Sequence, residues 1–189
     1  MLSMKICIIN TLYYPHQVGG AEKSVQSLAE QFFLLGNEVA VITLGKEESS
    51  HVLNGVNVWS LKIENTYWPF DKNNRRSYQK IVWHLKDIYN HKYDKKISTI
   101  LSQFQPKVIM TNNLAGFSIR VWEIARKLNI RIVHTLRDYY LQCPKTTRYK
   151  NNSNCNQLCS DCNFLSIKKR KETSKVDCVV GISLSLIHI

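Results

Sequence analysis

"KICIINTLYYPHQVGGAEKSVQSLAEQFFLLGNEVAVITL", residues 5–44, is the stretch on which the fold turns. Lys5 to Asn10 is a short β-branched, apolar run, the pattern of a parallel strand buried on both faces. Beyond the paired glycines, Val25, Leu28, Ala29, Phe32 and Phe33 recur at helical spacing, and Gly36 supplies a stop. Glu38 to Leu44 is apolar again and predicts a second strand. The loop from Thr11 to Gly20 therefore joins the carboxyl end of a strand to the amino end of a helix. Several N–H groups lack partners at such a helix start, and the helix dipole favours negative charge there. Gly19 and Gly20 let a bulky anion approach the backbone, so a phosphate or diphosphate site is one reading; a tight turn at positive φ is the plainer one. Glu22 falls in the first helical turn, where a carboxylate is electrostatically favourable. The order GGAEKS fits neither G-x-G-x-x-G nor a P-loop, which excludes the usual nucleotide fingerprints and argues against a dinucleotide-dependent dehydrogenase.

The same alternation continues outward. Val56 to Leu61 predicts a third strand, Lys107 to Thr111 a fourth, Ile130 to Thr135 a fifth and Asp177 to Ile182 a last one. Between them, Ile81, Leu85 and Ile88, then Ile97, Ile100, Leu101 and Phe104, mark one or two helices closed by Pro106. Ile119, Val121, Trp122, Ala125 and Leu128 mark another. Strands alternating with helices imply an α/β fold, a Rossmann-like parallel sheet with helices on both faces. Ligands of such sheets bind at the carboxyl ends of the strands, so the loops after Asn10, Thr111 and Thr135 are expected to converge.

Composition bounds the partners. The 189 residues suffice for one good-sized domain. Lys and Arg number 26 against 14 Asp and Glu, a net charge of +12 that favours anionic partners without saying anything about fold. No run approaches the roughly 18 apolar residues of a membrane span, and MLSMKICIIN reads directly as a strand rather than a secretory signal; a cytoplasmic location is expected. Six cysteines in such a setting read as thiols or metal ligands. Cys143, Cys155, Cys159 and Cys162 form C-x11-C-x3-C-x2-C, a set suited to a tetrahedral structural zinc, with a packed Cys143 as the alternative. Cys7 and Cys178 lie on predicted strands and read as core. The basic runs Lys168 to Lys171 and Arg75–Arg76 are either solvated faces or contacts to anionic lipid headgroups.

Three motifs in order resemble the amino-terminal domain of the family 4 glycosyltransferases, enzymes of the two-domain GT-B architecture. They are the P-x-x-x-G-G-A-E core at Pro15 to Glu22, "IRIVHTLRDYYLQCP" at 130–144, similar to the family's H-D-Y-x-x-x-C-P loop, and "VDCVVGIS" at 176–183, similar to the last strand before the crossover to the donor domain. The match spans nearly the whole chain. This sequence departs from the pattern in placing Arg137 where the family often has a histidine beside Asp138.

The resemblance implies that residues 1–183 form the acceptor-side domain of a retaining glycosyltransferase and that the donor-binding carboxy-terminal domain is absent. The chain is then expected to be a fragment, inactive alone, with 184–189 a truncated or non-native tail. It implies a nucleotide-sugar donor, a glycan or polyprenyl-diphosphate-linked acceptor, chemistry without a cofactor, and peripheral contact with the inner face of an anionic membrane. Arg137 is expected to meet a diphosphate or acceptor phosphate and Asp138 to hold or orient a hydroxyl, the alternative being an Arg–Asp pair that stabilises the loop. Gly19, Gly20 and Glu22 line the opening loop; Asn112 and Asn113 either read sugar hydroxyls or cap their turn. His134, deeper on its strand, reads as a packed, hydrogen-bonded residue. A basic zinc-stabilised nucleic-acid-binding domain is the competing reading, weakened by dispersed charge and the lack of a reader motif.

Overall fold

The computed structural model describes residues 3–71 and 73–183; the expected tail at 184–189 lies outside them. The opening stretch folds as expected into β1 (Lys5–Ile9), α1 (Gly20–Leu34) and β2 (Glu38–Gly45). β3 (Ser49–Leu53) and β4 (Val56–Lys62) follow, then α2 (Ser77–Ile88), α3 (Asp94–Phe104), β5 (Val108–Thr111), α4 (Arg120–Lys127) and β6 (Arg131–Leu136). A small antiparallel hairpin, β7 (Tyr149–Lys150) and β8 (Ser153–Asn154), precedes α5 (Ser160–Glu172) and β9 (Cys178–Gly181).

Seven strands form one sheet in the order β3-β4-β2-β1-β5-β6-β9. All neighbours are parallel except β3, which runs antiparallel to β4 at the edge. Alternation along β1 sends Ile6 and Ile8 to one face and Cys7 and Ile9 to the other. Val25 and Ala29 of α1 cover the first face; Ile97 and Leu101 of α3 and Val121 and Trp122 of α4 cover the second. Strand order reverses between β1 and β5, which makes their carboxyl ends the expected crevice.

Three features depart from the sequence pattern. β3 is an added strand, and its signal is Asn54-Gly55: both have positive φ (49° and 83°), the conformation of a two-residue hairpin turn. α5 forms from the basic segment, which carries no regular apolar stripe to announce it. In α2 the buried positions are Trp83 and Asp87, while Ile81 and Leu85, expected inside, face solvent. Two stripes compete on that helix, and packing against α5 selects the one holding Asp87.

His134 is packed, as its position on the strand suggested. Its Nδ1 lies 2.9 Å from Thr111 Oγ1, which also accepts the Trp122 indole N–H at 3.0 Å. Burial lowers its pKa to about 4. The unfolded chain, with an ordinary imidazole, takes up the proton first as pH falls below 6.5, so this contribution is complete above 6.5 and lost between 6.5 and about 4. Denaturation midpoints measured across that window are expected to fall with pH, by at most about 1.4 kcal/mol per pH unit for this group. His134→Gln removes that share of the slope, and an unchanged slope would disprove the assignment.

Candidate functional site at the carboxyl edge of the sheet

The crevice is built by two buried polar residues that follow β1. Asn10 donates from Nδ2 to Leu12 O at 2.6 Å, and its Oδ1 accepts the Asn113 N–H at 3.0 Å. The Thr11 N–H and hydroxyl both donate to Asn113 O at 2.9 Å, and the hydroxyl also reaches Ala115 O. Thr11 O in turn accepts from Leu44 N and Thr43 Oγ1. The ends of β1, β2 and β5 are thereby tied together, and the buried side chains of Asn10 and Thr11 are hydrogen-bonded within the tie.

Arg137, just past β6, leans across this clamp. Its Nε donates to Asn112 Oδ1 at 2.8 Å and Nη1 to Ser24 Oγ of α1 at 3.2 Å. It is half-buried, and burial lowers its pKa while the charge of Glu22 opposes that shift. Among the described residues no carboxylate forms an ion pair with it, and both partners are neutral. A guanidinium has five donors, so most of its capacity is left for an external anion. Asn112 is thus assigned by geometry: its amide holds Arg137 in place.

The start of α1 faces the same crevice. Glu22 Oε2 accepts the Gly19 N–H at 2.8 Å, one arm of a capping box. Glu22 is accordingly a buried cap. The N–H groups of Gly20, Ala21 and Glu22 have no intrahelical acceptor, as in the first turn of any helix. Neither Gly19 nor Gly20 adopts positive φ, so the tight-turn explanation falls. A methyl group on Gly20 would meet nothing within 4 Å. Gln17, Val18, Gly19, Gly20 and Lys23 line a shallow cavity of about 250 Å³ there. A larger cavity of about 1020 Å³ opens at the amino ends of β5 and β6, beside Lys107, Ile130 and Asp177, away from every loop that carries these residues.

Asp138 turns away from Arg137. Its Oδ1 accepts the Tyr140 N–H at 2.8 Å, and burial raises its pKa. The loop it shapes rests on a buried ion pair: Lys169 Nζ lies 3.3 Å from Asp87 Oδ2 and 3.4 Å from the Tyr140 ring centroid, while Tyr140 Oη donates to Asp87 O. Asp87 Oδ1 also accepts the Gly116 N–H. Removing one partner of such a pair costs about 3–5 kcal/mol. The basic run is correspondingly split: Lys169 is inside, Lys168 stacks on Tyr89, and Arg170 bonds Asn163.

Asn113 presents its backbone to the clamp, and its buried Oδ1 has no partner. The cysteines are all free thiols. Cys162 Sγ lies 3.8 Å from Cys143 Sγ, and the Cys162 N–H supports the Cys159 sulfur, which lowers the Cys159 pKa. Among the described residues no group of three or more His, Cys, Asp or Glu side chains forms a ready metal-binding set. The four thiols therefore do not stand as an assembled tetrahedral cage among the described residues.

Residues 18–159 match Glycosyltransferase Family 4. The chain belongs to glycosyltransferase family 4. It is 40% identical over 184 residues to an uncharacterized 42.6 kDa protein in the cps region of Klebsiella pneumoniae, a match covering 95% of this chain and 49% of that protein. The chain thus spans about half the length of that protein. Its fold is similar to sucrose-phosphate synthase from Thermosynechococcus elongatus (TM-score 0.58, 16% identity, 93% of this chain and 41% of that one). It is also similar to apo UGT2 of Phytolacca americana (TM-score 0.54, 10% identity, 95% of this chain and 45% of that one). The family and the GT-B-type α/β fold expected from the motifs both hold.

Sequence reasoning missed Asn10, Thr11, Ser24, Asp87 and Lys169. The only advance signal was polarity at the end of an apolar strand, in Asn10-Thr11. Gly20→Ala separates backbone accessibility from folding. Its thermal midpoint is expected to equal or slightly exceed that of the wild type, because the site is open and a glycine's unfolded-state entropy is removed. Pyrophosphate affinity measured by calorimetry is expected to fall on the order of tenfold, the added methyl standing where an anion meets the helix start. Equal affinity would detach the glycines from anion binding.

Proposed function

We propose that this domain is the acceptor-side, amino-terminal part of a retaining glycosyltransferase. The whole protein moves a hexosyl unit from a nucleotide-sugar to a glycan or polyprenyl-diphosphate-linked acceptor in envelope polysaccharide synthesis, at the cytoplasmic face of the membrane. One observation carries this reading. A half-buried guanidinium with no carboxylate partner stands at the same crevice as an open helix start fronted by two glycines. Family membership and a relative in a cps region support the choice of chemistry.

In the transfer, charge builds on the diphosphate leaving group as its bond to the sugar breaks. Fixed N–H donors and cations placed before the reaction stabilise that charge most effectively. Arg137 and the amides of Gly20 and Ala21 supply them from this domain. Asn112 holds the guanidinium. Asp138 acts through the loop: by fixing the Tyr140 N–H it sets the direction in which Arg137 leaves β6. Arg137 is therefore assigned contact with the ligand and Asp138 a positioning role.

Transfer by the whole protein tests the assignment. Arg137→Ala is expected to lower kcat/KM by roughly 10²–10³-fold, the usual cost of removing one donor to developing negative charge, and Arg137→Lys to restore part of it. Asp138→Asn keeps a side-chain oxygen for Tyr140 and is expected to retain most of the rate, whereas Asp138→Ala is not. Full activity in Arg137→Ala would refute the proposal.

A structural zinc on Cys143, Cys155, Cys159 and Cys162 is a separate proposal, supported by the spacing and by the proximity of Cys143 and Cys162. It requires all four sulfurs to close to about 2.3 Å from one centre. Metal analysis of purified protein is expected to find one zinc per chain and none in Cys159→Ser/Cys162→Ser; zinc-free wild type would reject it.

A further inference from the structure

The segment that leaves β4 at the carboxyl edge of the sheet carries three aromatic residues within four positions, Tyr67, Trp68 and Phe70. Its base is pinned to the fold. The Ile63 N–H donates to Gly45 O at 3.0 Å and the Glu64 N–H to Tyr93 Oη at 2.7 Å. Asn90 Nδ2 donates to Glu64 O and Asn65 Nδ2 to Trp83 O, each at 3.2 Å, and the Trp83 indole N–H donates to Tyr67 O at 3.1 Å. Lys46, just past β2, pairs with Asp71 at 3.1 Å and ties the other end. A segment held in this way presents its side chains with little ordering cost on binding.

Trp68 and Phe70 meet edge to face, with ring centroids 5.4 Å apart and planes inclined at 67°. His16, from the loop after β1, approaches Trp68 in the same manner at 6.3 Å. The three rings therefore border the crevice beside the loop that leads to Gly19 and Gly20. Trp68 packs on the core with part of its ring open, Phe70 is 40% exposed, and His16 is exposed. Among the described residues, neither the His16 imidazole nor the Trp68 indole N–H makes a hydrogen bond.

Exposed rings beside free polar groups are the makings of a small-molecule subsite, and their shape selects the occupant. Rings inclined at 67° form a corner, not a slot, so a planar nucleobase could stack on one wall only. A pyranose has a patch of C–H groups on one face and hydroxyls around its rim. The C–H patch suits the negative face of an aromatic ring, and the rim suits the free N–H groups of Trp68 and His16. A polyprenyl tail fits less well, because the Lys46–Asp71 ion pair directly follows Phe70 and charge beside hydrocarbon is costly.

We propose that Trp68, Phe70 and His16 form the subsite for the terminal pyranose ring of the acceptor. This rests on the transferase reading and specifies it: the acceptor already carries a sugar, so a separate glycosyl transfer must come first. Sugar binding is measured without donor or transfer, and pyrophosphate binding at Arg137 without sugar, so each assignment can fail without the other.

The test is saturation-transfer NMR of the purified chain with the methyl pyranosides of glucose, galactose, mannose, rhamnose, fucose, N-acetylglucosamine and glucuronic acid. At least one is expected to take up saturation on its ring C–H protons. Binding of that glycoside is expected to weaken on the order of fivefold in Phe70→Ala and further in His16→Ala/Phe70→Ala. Phe70→Leu, which keeps apolar volume and removes the π face, is expected to lose about as much as Phe70→Ala. Because both positions are exposed, the wild-type melting temperature and the pyrophosphate affinity are expected to persist in all three variants. Saturation of none of the glycosides, or unaltered binding by the double variant, would overturn the proposal. So would a Phe70-dependent signal from farnesyl phosphate or from uridine monophosphate that exceeds that of every glycoside.

Discussion

The arrangement of the crevice depends on the tie that Asn10 and Thr11 make across the ends of three parallel strands. A parallel sheet presents its strand ends side by side, each with backbone groups that have run out of ladder partners. At the point where strand order reverses, no neighbouring strand supplies them. Two short polar side chains do so here, and they also fix the distance between β1 and the loop after β5. Both residues are fully inside the protein. An apolar replacement at Asn10 would strand the Asn113 amide, and one at Thr11 the Ala115 carbonyl, a cost of roughly 1–3 kcal/mol for each group left unpaired.

Arg137 reaches across from the opposite side of the reversal. Its two bonds go to Asn112, at the end of β5, and to Ser24, in α1. Three elements far apart in sequence thus converge on one guanidinium, and none of them neutralises its charge with a paired carboxylate. Glu22 lies close enough to influence that charge, but it is occupied with the Gly19 N–H. Held positive and incompletely bonded, Arg137 is poised for an anion from outside. Beneath it, the Asp87–Lys169 pair connects α2 and α5 to the Asp138–Tyr140 loop.

The departures from the sequence pattern have separate physical causes. Asn54-Gly55 marks β3, because a type I′ turn needs two residues that tolerate positive φ. The helix at 160–172 was hidden because its inward residues are Ser166 and Lys169 rather than aliphatic ones. In α2 both Ile81–Leu85 and Trp83–Asp87 follow helical spacing, and the usual rule that apolar residues point inward chose the wrong side. A buried aspartate overrides that rule only because a lysine elsewhere in the chain is buried with it.

By itself the sequence determined the order of the parallel strands and of the helices up to β6, the family, and the three loops that carry the polar residues. These are local properties: periodicity, turn chemistry and short motifs are written in consecutive residues. Tertiary structure alone decided which way each side chain in those loops points. It turned Arg137 toward α1 and Asp138 into its own loop, although they are adjacent, and it made Glu22 a cap, Asn112 a brace and Lys169 a buried anchor. The reason is that a polar group's role is set by whichever partner satisfies it once water is excluded, and for Arg137 and Lys169 those partners lie dozens of residues away.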